Sequence, residues 1–190
     1  LEYVGYQNIS SALLMCGNTT RRTPLLGCVS GVFMEYNSPL VGISDGLVPS
    51  LRALEEKTPY VPCESVGDEY KKSCYFELGG WLHAVFPGGY EKTEEFCVGA
   101  PDGYGAYCAL GFGASVPPSL GYDMLKSRMV CDVFKGEIRT ACYAGVSWGF
   151  YTDPVHRENT LAACEMEDAA ETSRCLILAD LTEGLGSFPQ

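Results

Sequence analysis

Apolar residues in the middle of the chain recur at helical spacing. Cys74, Leu78, Trp81, Leu82 and Val85 fall at i, i+4, i+7, i+8 and i+11, and Cys142, Val146, Gly149 and Phe150 follow the same course. Such spacing places each set on one face of an α-helix. A cysteine is expected to open each helix and to share its inner face. Cys108-Ala-Leu-Gly-Phe-Gly113 reads the same way, and a small residue stands five positions after the cysteine in all three: Gly79, Gly113 and Ser147. Glycine there lets a neighbouring helix come close, at about 1 kcal/mol of helix propensity each. Stretches Ser119 to Val130 and Val155 to Ala163 are also read as helical, running into Cys131 and Cys164.

Breakers separate these elements. Gly17-Asn18, Gly67, Gly99-Ala-Pro101-Asp-Gly103 and Gly136 lie between paired cysteines, while Pro87, Pro117-Pro118 and Pro154 mark the other turn of each unit. The unit is a helix ending near one cysteine, a turn, and a helix starting near the next. Cys63/Cys74, Cys97/Cys108, Cys131/Cys142 and Cys164/Cys175 are each eleven residues apart, and Cys16/Cys28 twelve. The first members recur at intervals of 47, 34, 34 and 33 residues. A fixed period of that size signals a repeat architecture, with atypical capping units at the termini. Repeat cores are expected at 9–36, 60–86, 90–116, 120–152 and 155–184. Residues 37–59 are an insertion in which Leu47, Leu51 and Leu54 suggest a short extra helix.

Ten cysteines at this rhythm change the picture of compartment. They imply disulfides and an oxidising, secreted or cell-surface setting. Structural zinc sites favour Cys-x2–4-Cys spacing with further ligands nearby, which is lacking here. Local pairing is expected: Cys16–Cys28, Cys63–Cys74, Cys97–Cys108, Cys131–Cys142 and Cys164–Cys175. Cross-repeat pairing remains the alternative. A loop of about ten residues closed in this way contributes roughly 2–3 kcal/mol. The chain opens at Leu1 without Met, as a processed mature protein would, and no apolar run is long enough for a membrane span. Asn8-Ile-Ser and Asn18-Thr-Thr are N-glycosylation sequons, so glycans on Asn8 and Asn18 are expected.

The 24 acidic and 13 basic residues give a net charge of −11, which argues against nucleic acid and anionic membrane surfaces as partners. Glu165, Glu167, Asp168, Glu171, Asp180 and Glu183 read as a solvated helix face, with a calcium or cationic-partner site as the alternative. EF-hand spacing is not visible, and no metal or cofactor is expected. Gly145-Val-Ser147-Trp-Gly149 matches the nucleophile-elbow motif, with Asp153 and His156 following in hydrolase order. That elbow needs a buried strand before it on a large sheet, whereas Ser147 occupies a repeat slot. A hydrolase using Ser147 is therefore the least favoured reading, and no enzyme is expected. His83 is read as a partly buried packing residue and His156 as exposed. Tyr60, Tyr70, Tyr90, Tyr104, Tyr107 and Tyr122 lie at turns, where they either cover core edges or form a contact surface.

The chain resembles cysteine-stapled α/α repeat proteins of the Sel1-like and tetratricopeptide class. The residues that carry the resemblance are Cys74-x-x-x-Leu78-Gly79, Asp153, Ala162-Ala163-Cys164 and the period near 34, between about Tyr60 and Gly184. The resemblance implies a cysteine ending one helix bridged to one opening the next, and a role in binding or scaffolding without catalytic residues.

The expected fold is thus all-α: a disulfide-stapled solenoid of about five helical hairpins. A solenoid has open ends that must be capped or paired, and here both termini are apolar. Leu1, Tyr3, Val4, Tyr6, Leu185 and Phe188 are the expected assembly residues of a secreted structural protein that joins copies of itself end to end into a filament. A monomeric module binding a protein or glycan is the alternative.

Overall fold

A computed structural model describes residues 8–17, 27–38, 40–43, 46–49, 51–55 and 58–183, with the side chains of 40–43, 46–49 and 180–183 left out. In chain order the helices are α1 (Ile9–Cys16), α2 (Cys28–Asn37), α3 (Asp68–Val85), α4 (Tyr90–Val98), α5 (Gly105–Ser119), α6 (Met124–Val130), α7 (Gly136–Thr152) and α8 (Ala169–Glu183). Short 3-10 turns cover Pro101–Gly103, Cys131–Val133, Arg157–Asn159 and Leu161–Cys164. The fold is all-α and disulfide-stapled, and its one departure among the described residues is a small antiparallel pair, β1 (Leu40–Ile43) and β2 (Gly46–Pro49).

Local chemistry explains the helix limits. Asp68 and Glu69 place negative charge on the first turn of α3, where the helix dipole favours it. Asp123 caps α6 by accepting from the Lys126 amide at 3.0 Å. Pro87 and Pro154 follow the ends of α3 and α7, as expected.

The long helices α2, α3, α5, α7 and α8 pack one on the next in chain order, while α1, α4, α6 and the 3-10 turns form a second row against them. What lets α3, α5 and α7 close up is the absence of side chains at their contacts. A Cβ on Gly79 would lie 1.9 Å from the carbonyl oxygen of Cys108, and one on Gly113 would lie 2.1 Å from that of Cys142. The reverse face repeats the device: a Cβ on Gly111 would meet the Phe76 carbonyl at 1.7 Å, and one on Gly145 the Leu110 carbonyl at 2.0 Å. Each glycine three residues after its cysteine thus lies on the carbonyl two residues after the preceding cysteine. Contacts advance together along each pair of helices, so α3, α5 and α7 run parallel. Because α5 is so thin here, Phe76 of α3 reaches Trp148 of α7, ring to edge at 5.8 Å. Phe112, Phe134 and Phe150 fill the buried space alongside.

Several local expectations are corrected. The second cysteine opens a helix only at Cys28. Cys74, Cys142 and Cys175 are each the seventh residue of their helix and Cys108 the fourth, because the polar turn before them is itself helical. Ser119 ends α5, and residues 120–123 form the turn that precedes α6. Residues 155–163 hold 3-10 turns in place of a helix. Pro117 and Pro118 lie inside the last turn of α5. They remove two amide donors, yet the helix persists because Pro117 is buried against Gly149, where a Cβ would lie 2.9 Å from its Cγ. Hydrogen bonding resumes at Leu120, whose amide donates to Val116 at 3.2 Å. The extra helix suggested by Leu47, Leu51 and Leu54 is not formed: Leu47 lies in β2, and 51–55 take no regular structure. Val41, Ile43 and Val48 favour strand over helix there.

The glycine contacts generate a paired prediction. Gly111→Ala gains helix propensity but forces a methyl into the Phe76 backbone, so it is expected to destabilise by about 2 kcal/mol or more. Gly31, in α2, has nothing within 4 Å of its Cβ position, so Gly31→Ala should stabilise by up to about 1 kcal/mol. Calorimetry should show Tm moving in opposite directions, by about 2–4 °C per kcal/mol.

Candidate functional site

The five disulfides join Cys16 to Cys28, Cys63 to Cys74, Cys97 to Cys108, Cys131 to Cys142 and Cys164 to Cys175, leaving no free cysteine. Each ties the outer element of a unit to its own inner helix. Cys28 is partly buried, and the other nine cysteines are closed off from solvent. They are compatible with an oxidising environment, and no helix among the described residues is long and apolar enough to cross a membrane.

The motif Ser147, Asp153 and His156 was the one sequence constellation with catalytic form. Ser147 is fully buried midway along α7, and its hydroxyl donates to the Thr160 carbonyl at 2.7 Å. Asp153 follows the end of α7 and accepts from the Val155 amide at 2.9 Å, the His156 amide at 3.1 Å and His156 Nδ1 at 3.0 Å. These bonds hold its carboxyl below the usual range, with the His156 side chain the chief cause. The imidazole stacks on Tyr122 at 4.2 Å between ring centroids, nearly coplanar. It is therefore half-covered, a correction to the exposed position expected for it. The structure brings Asp153 and His156 together as the corner after α7. Ser147 faces the other way, pinning the 157–164 turns to α7.

His83 is partly buried, as its place on α3 suggested. Its Nδ1 donates to Ser115 Oγ at 2.8 Å, and that hydroxyl donates on to the Phe112 carbonyl at 2.7 Å. Burial lowers the affinity of His83 for a second proton. The turn tyrosines sit at the edges of the core. Tyr104 stacks on buried Tyr75 at 4.8 Å, and Tyr60 donates to the Phe96 carbonyl at 3.0 Å. Tyr75 itself is pushed above the usual tyrosine range by burial.

Among the C-terminal acids, Asp168 accepts from the Ala170 and Glu171 amides at the start of α8, and Glu171 pairs with Arg139 at 3.4 Å. The side chains of Asp180 and Glu183 lie outside the described residues. Among the described residues no group of three His, Cys, Asp or Glu could hold a metal. Asn8 is exposed at the start of α1, its side-chain oxygen accepting from the Ser11 amide at 3.0 Å. Asn18 and the assembly residues Leu1, Tyr3, Val4, Tyr6, Leu185 and Phe188 lie outside the described residues. A groove of about 360 Å³ runs between α1 and the segment leading into α3, walled by Ile9, Leu13, Leu14, Pro62, Val66 and Tyr70.

Glu77 is the residue that sequence reading passed over. It stands three positions after Cys74, the offset held by Gly111 and Gly145, and faces α2. Its carboxylate accepts from the hydroxyl of Ser30, two positions after Cys28. Burial raises its pKa to about 7, and the Ser30 bond opposes that rise. The signal was available as a break in the small-residue pattern.

Compared with protein-family models, characterised proteins and solved structures, the chain matches none of them. Its fold is an all-α, cysteine-stapled array of repeated helical units.

The Ser147 geometry yields a test. Ser147→Ala leaves the Thr160 carbonyl buried without its donor, so a loss of about 1–3 kcal/mol is expected. Denaturant unfolding should show a lower midpoint at unchanged slope.

Proposed function

We propose that this is an extracytoplasmic, non-catalytic scaffold protein of the Sel1-like and tetratricopeptide kind, which associates with copies of itself through the two ends of its helical stack. The observation that carries this reading is apolar exposure in both end units of an otherwise acidic chain. At one end α1 leaves Leu14 75 % and Met15 58 % exposed, and α2 leaves Met34 57 % exposed; α1 holds no charged residue. At the other end Ile177 of α8 is 58 % exposed. Between them the α3–α5 and α5–α7 contacts are sealed by backbone-to-glycine packing, although Val98, Leu125, Met129 and Val155 add exposed apolar side chains along the middle units. The apolar termini, with Leu1, Tyr3, Val4, Tyr6, Leu185 and Phe188, belong to the same proposed joints, and N-linked glycans on Asn8 and Asn18 to the proposed secreted form. The functional work falls to surface and shape, with Ser147, Asp153 and His156 as structural residues.

A second reading, a monomeric module for an extended peptide or glycan, is favoured by the groove beside α1. It predicts a ligand-dependent rise in Tm.

Light scattering and negative-stain microscopy of the native, non-reduced protein separate the two. Assembly predicts particles well above the 20.6 kDa monomer. Added salt should enlarge them, since a net charge of −11 opposes contact between copies. Met15→Asp, Ile177→Asp or removal of residues 1–6 should each return the protein to monomer with unchanged helicity. A monomer in the unaltered protein at every salt concentration would overturn self-assembly and leave the binding module.

A further inference from the structure

The contact between α2 and α3 is built unlike those that follow it. At α3–α5 and α5–α7 a glycine three residues after the cysteine lies on the neighbouring backbone, so that slot carries no ionisable side chain. At α2–α3 the same position carries Glu77, and the matching position on α2 carries Ser30. Every disulfide is local, so no covalent bond besides the chain itself ties the α1–α2 hairpin to α3. We propose that this contact is a pH-sensitive joint: the α1–α2 hairpin is held on α3 while Glu77 is protonated, and loosens as a unit when Glu77 ionises.

The far end of the joint has a different anchor. The Arg52 amide donates to the Asn37 carbonyl at 2.9 Å, and its Nε to the Asn37 side chain at 3.2 Å. Its guanidinium lies 4.0 Å from the Trp81 ring and 5.1 Å from the Tyr36 ring, bridging α3 and α2. Trp81 Nε1 donates back to the Arg52 carbonyl at 3.2 Å. A guanidinium stays charged across this range, so Arg52 remains a fixed pivot while the Glu77 end responds. The Cys16–Cys28 bond keeps the hairpin itself intact when it swings.

The groups around Glu77 leave its charge uncompensated among the described residues. From α2 it meets the Ser30 hydroxyl, and Glu35 is a further carboxylate on that helix. Arg52 is engaged with Tyr36, Trp81 and Asn37 and is drawn to Glu55. On α3, Lys71 pairs with Asp68, Lys72 lies over Tyr107 and His83 is bonded to Ser115. The ionisable side chain of α5, Tyr107, is the one that Lys72 covers. An ionised Glu77 therefore stays half-buried against one hydroxyl, and fuller contact with solvent becomes the better environment.

The direction follows from linkage. The closed state binds the Glu77 proton more tightly than the open one, so closure is fully favoured below the ordinary carboxyl pKa of 4.5 and is lost as pH rises through about 7. That difference corresponds to a change of about 300-fold in the closing equilibrium. His83 acts in the opposite sense: its lowered pKa disfavours the folded state as pH falls, which is why the test is local.

Amide exchange measured by NMR between pH 4.5 and 8, expressed as protection factors, tests the joint. Protection in α2 should fall by up to about 300-fold across that range, while α7 holds constant. Glu77→Gln should abolish the fall. Ser30→Ala, which removes the bond favouring the ionised form, should move its midpoint to higher pH. Flat protection in the unaltered protein, or an unchanged fall in Glu77→Gln, would overturn the proposal. Should Glu77→Gln not fold, an unmoved midpoint in Ser30→Ala would overturn it equally.

Discussion

The structure depends on backbone meeting backbone. Between α3, α5 and α7 the carbonyl of one helix occupies the place where the next helix would carry a side chain. Any methyl at Gly79, Gly111, Gly113 or Gly145 would fall about 2 Å from an oxygen. This closeness is what allows helices of at most 18 residues to build a continuous core. It also fixes register, since a shifted helix would bring a larger residue to the contact. The exchange costs helix propensity, and dispersion across a tightly sealed seam offsets it.

The disulfides do a different task. Several outer elements are too short to be held by their own burial: α6 has seven residues, and the last unit has only 3-10 turns opposite its helix. A bond from each to an inner helix removes the option of detaching. Seam and staple are complementary, one acting between units and the other within them. The first joint, with Glu77 and Ser30 in the slots, lacks the glycine seam, and the insertion reinforces it through Arg52.

How much of this was legible follows from which constraints leave a residue-specific trace. Close approach demands glycine at a fixed offset, so Gly79 and Gly113 announced the inner helices and Ser147 their third copy. The cysteine spacing announced the stapled units for the same reason. Where competing terms were nearly balanced, the reading failed. Residues 155–163 have helical composition but are held as 3-10 turns by the Ser147 bond to Thr160. Pro117 and Pro118 read as breakers, yet burial against Gly149 outweighed two lost donors. Leu47, Leu51 and Leu54 matched a helical period by chance in a segment whose β-branched residues paired instead. Of the candidate chemistry, the Asp153–His156 pairing was visible from proximity alone. The orientation of Ser147 away from it was not, since that depends on the turn packed against α7. Glu77 was hidden because a single glutamate on an amphipathic helix ordinarily faces water.

The locality of the five staples has a mechanical consequence. Pulled from its two ends, the chain cannot pay out the residues enclosed between paired cysteines, because tension bypasses each loop through its sulfur bridge. Extension is confined to the connectors and to the portions of helix beyond each bridge. Peeling one unit from its neighbour lengthens the molecule by a limited step and leaves every other loop closed. The protein is constructed as a row of short, shock-limited links, in which the glycine seams yield before any covalent path is loaded in full.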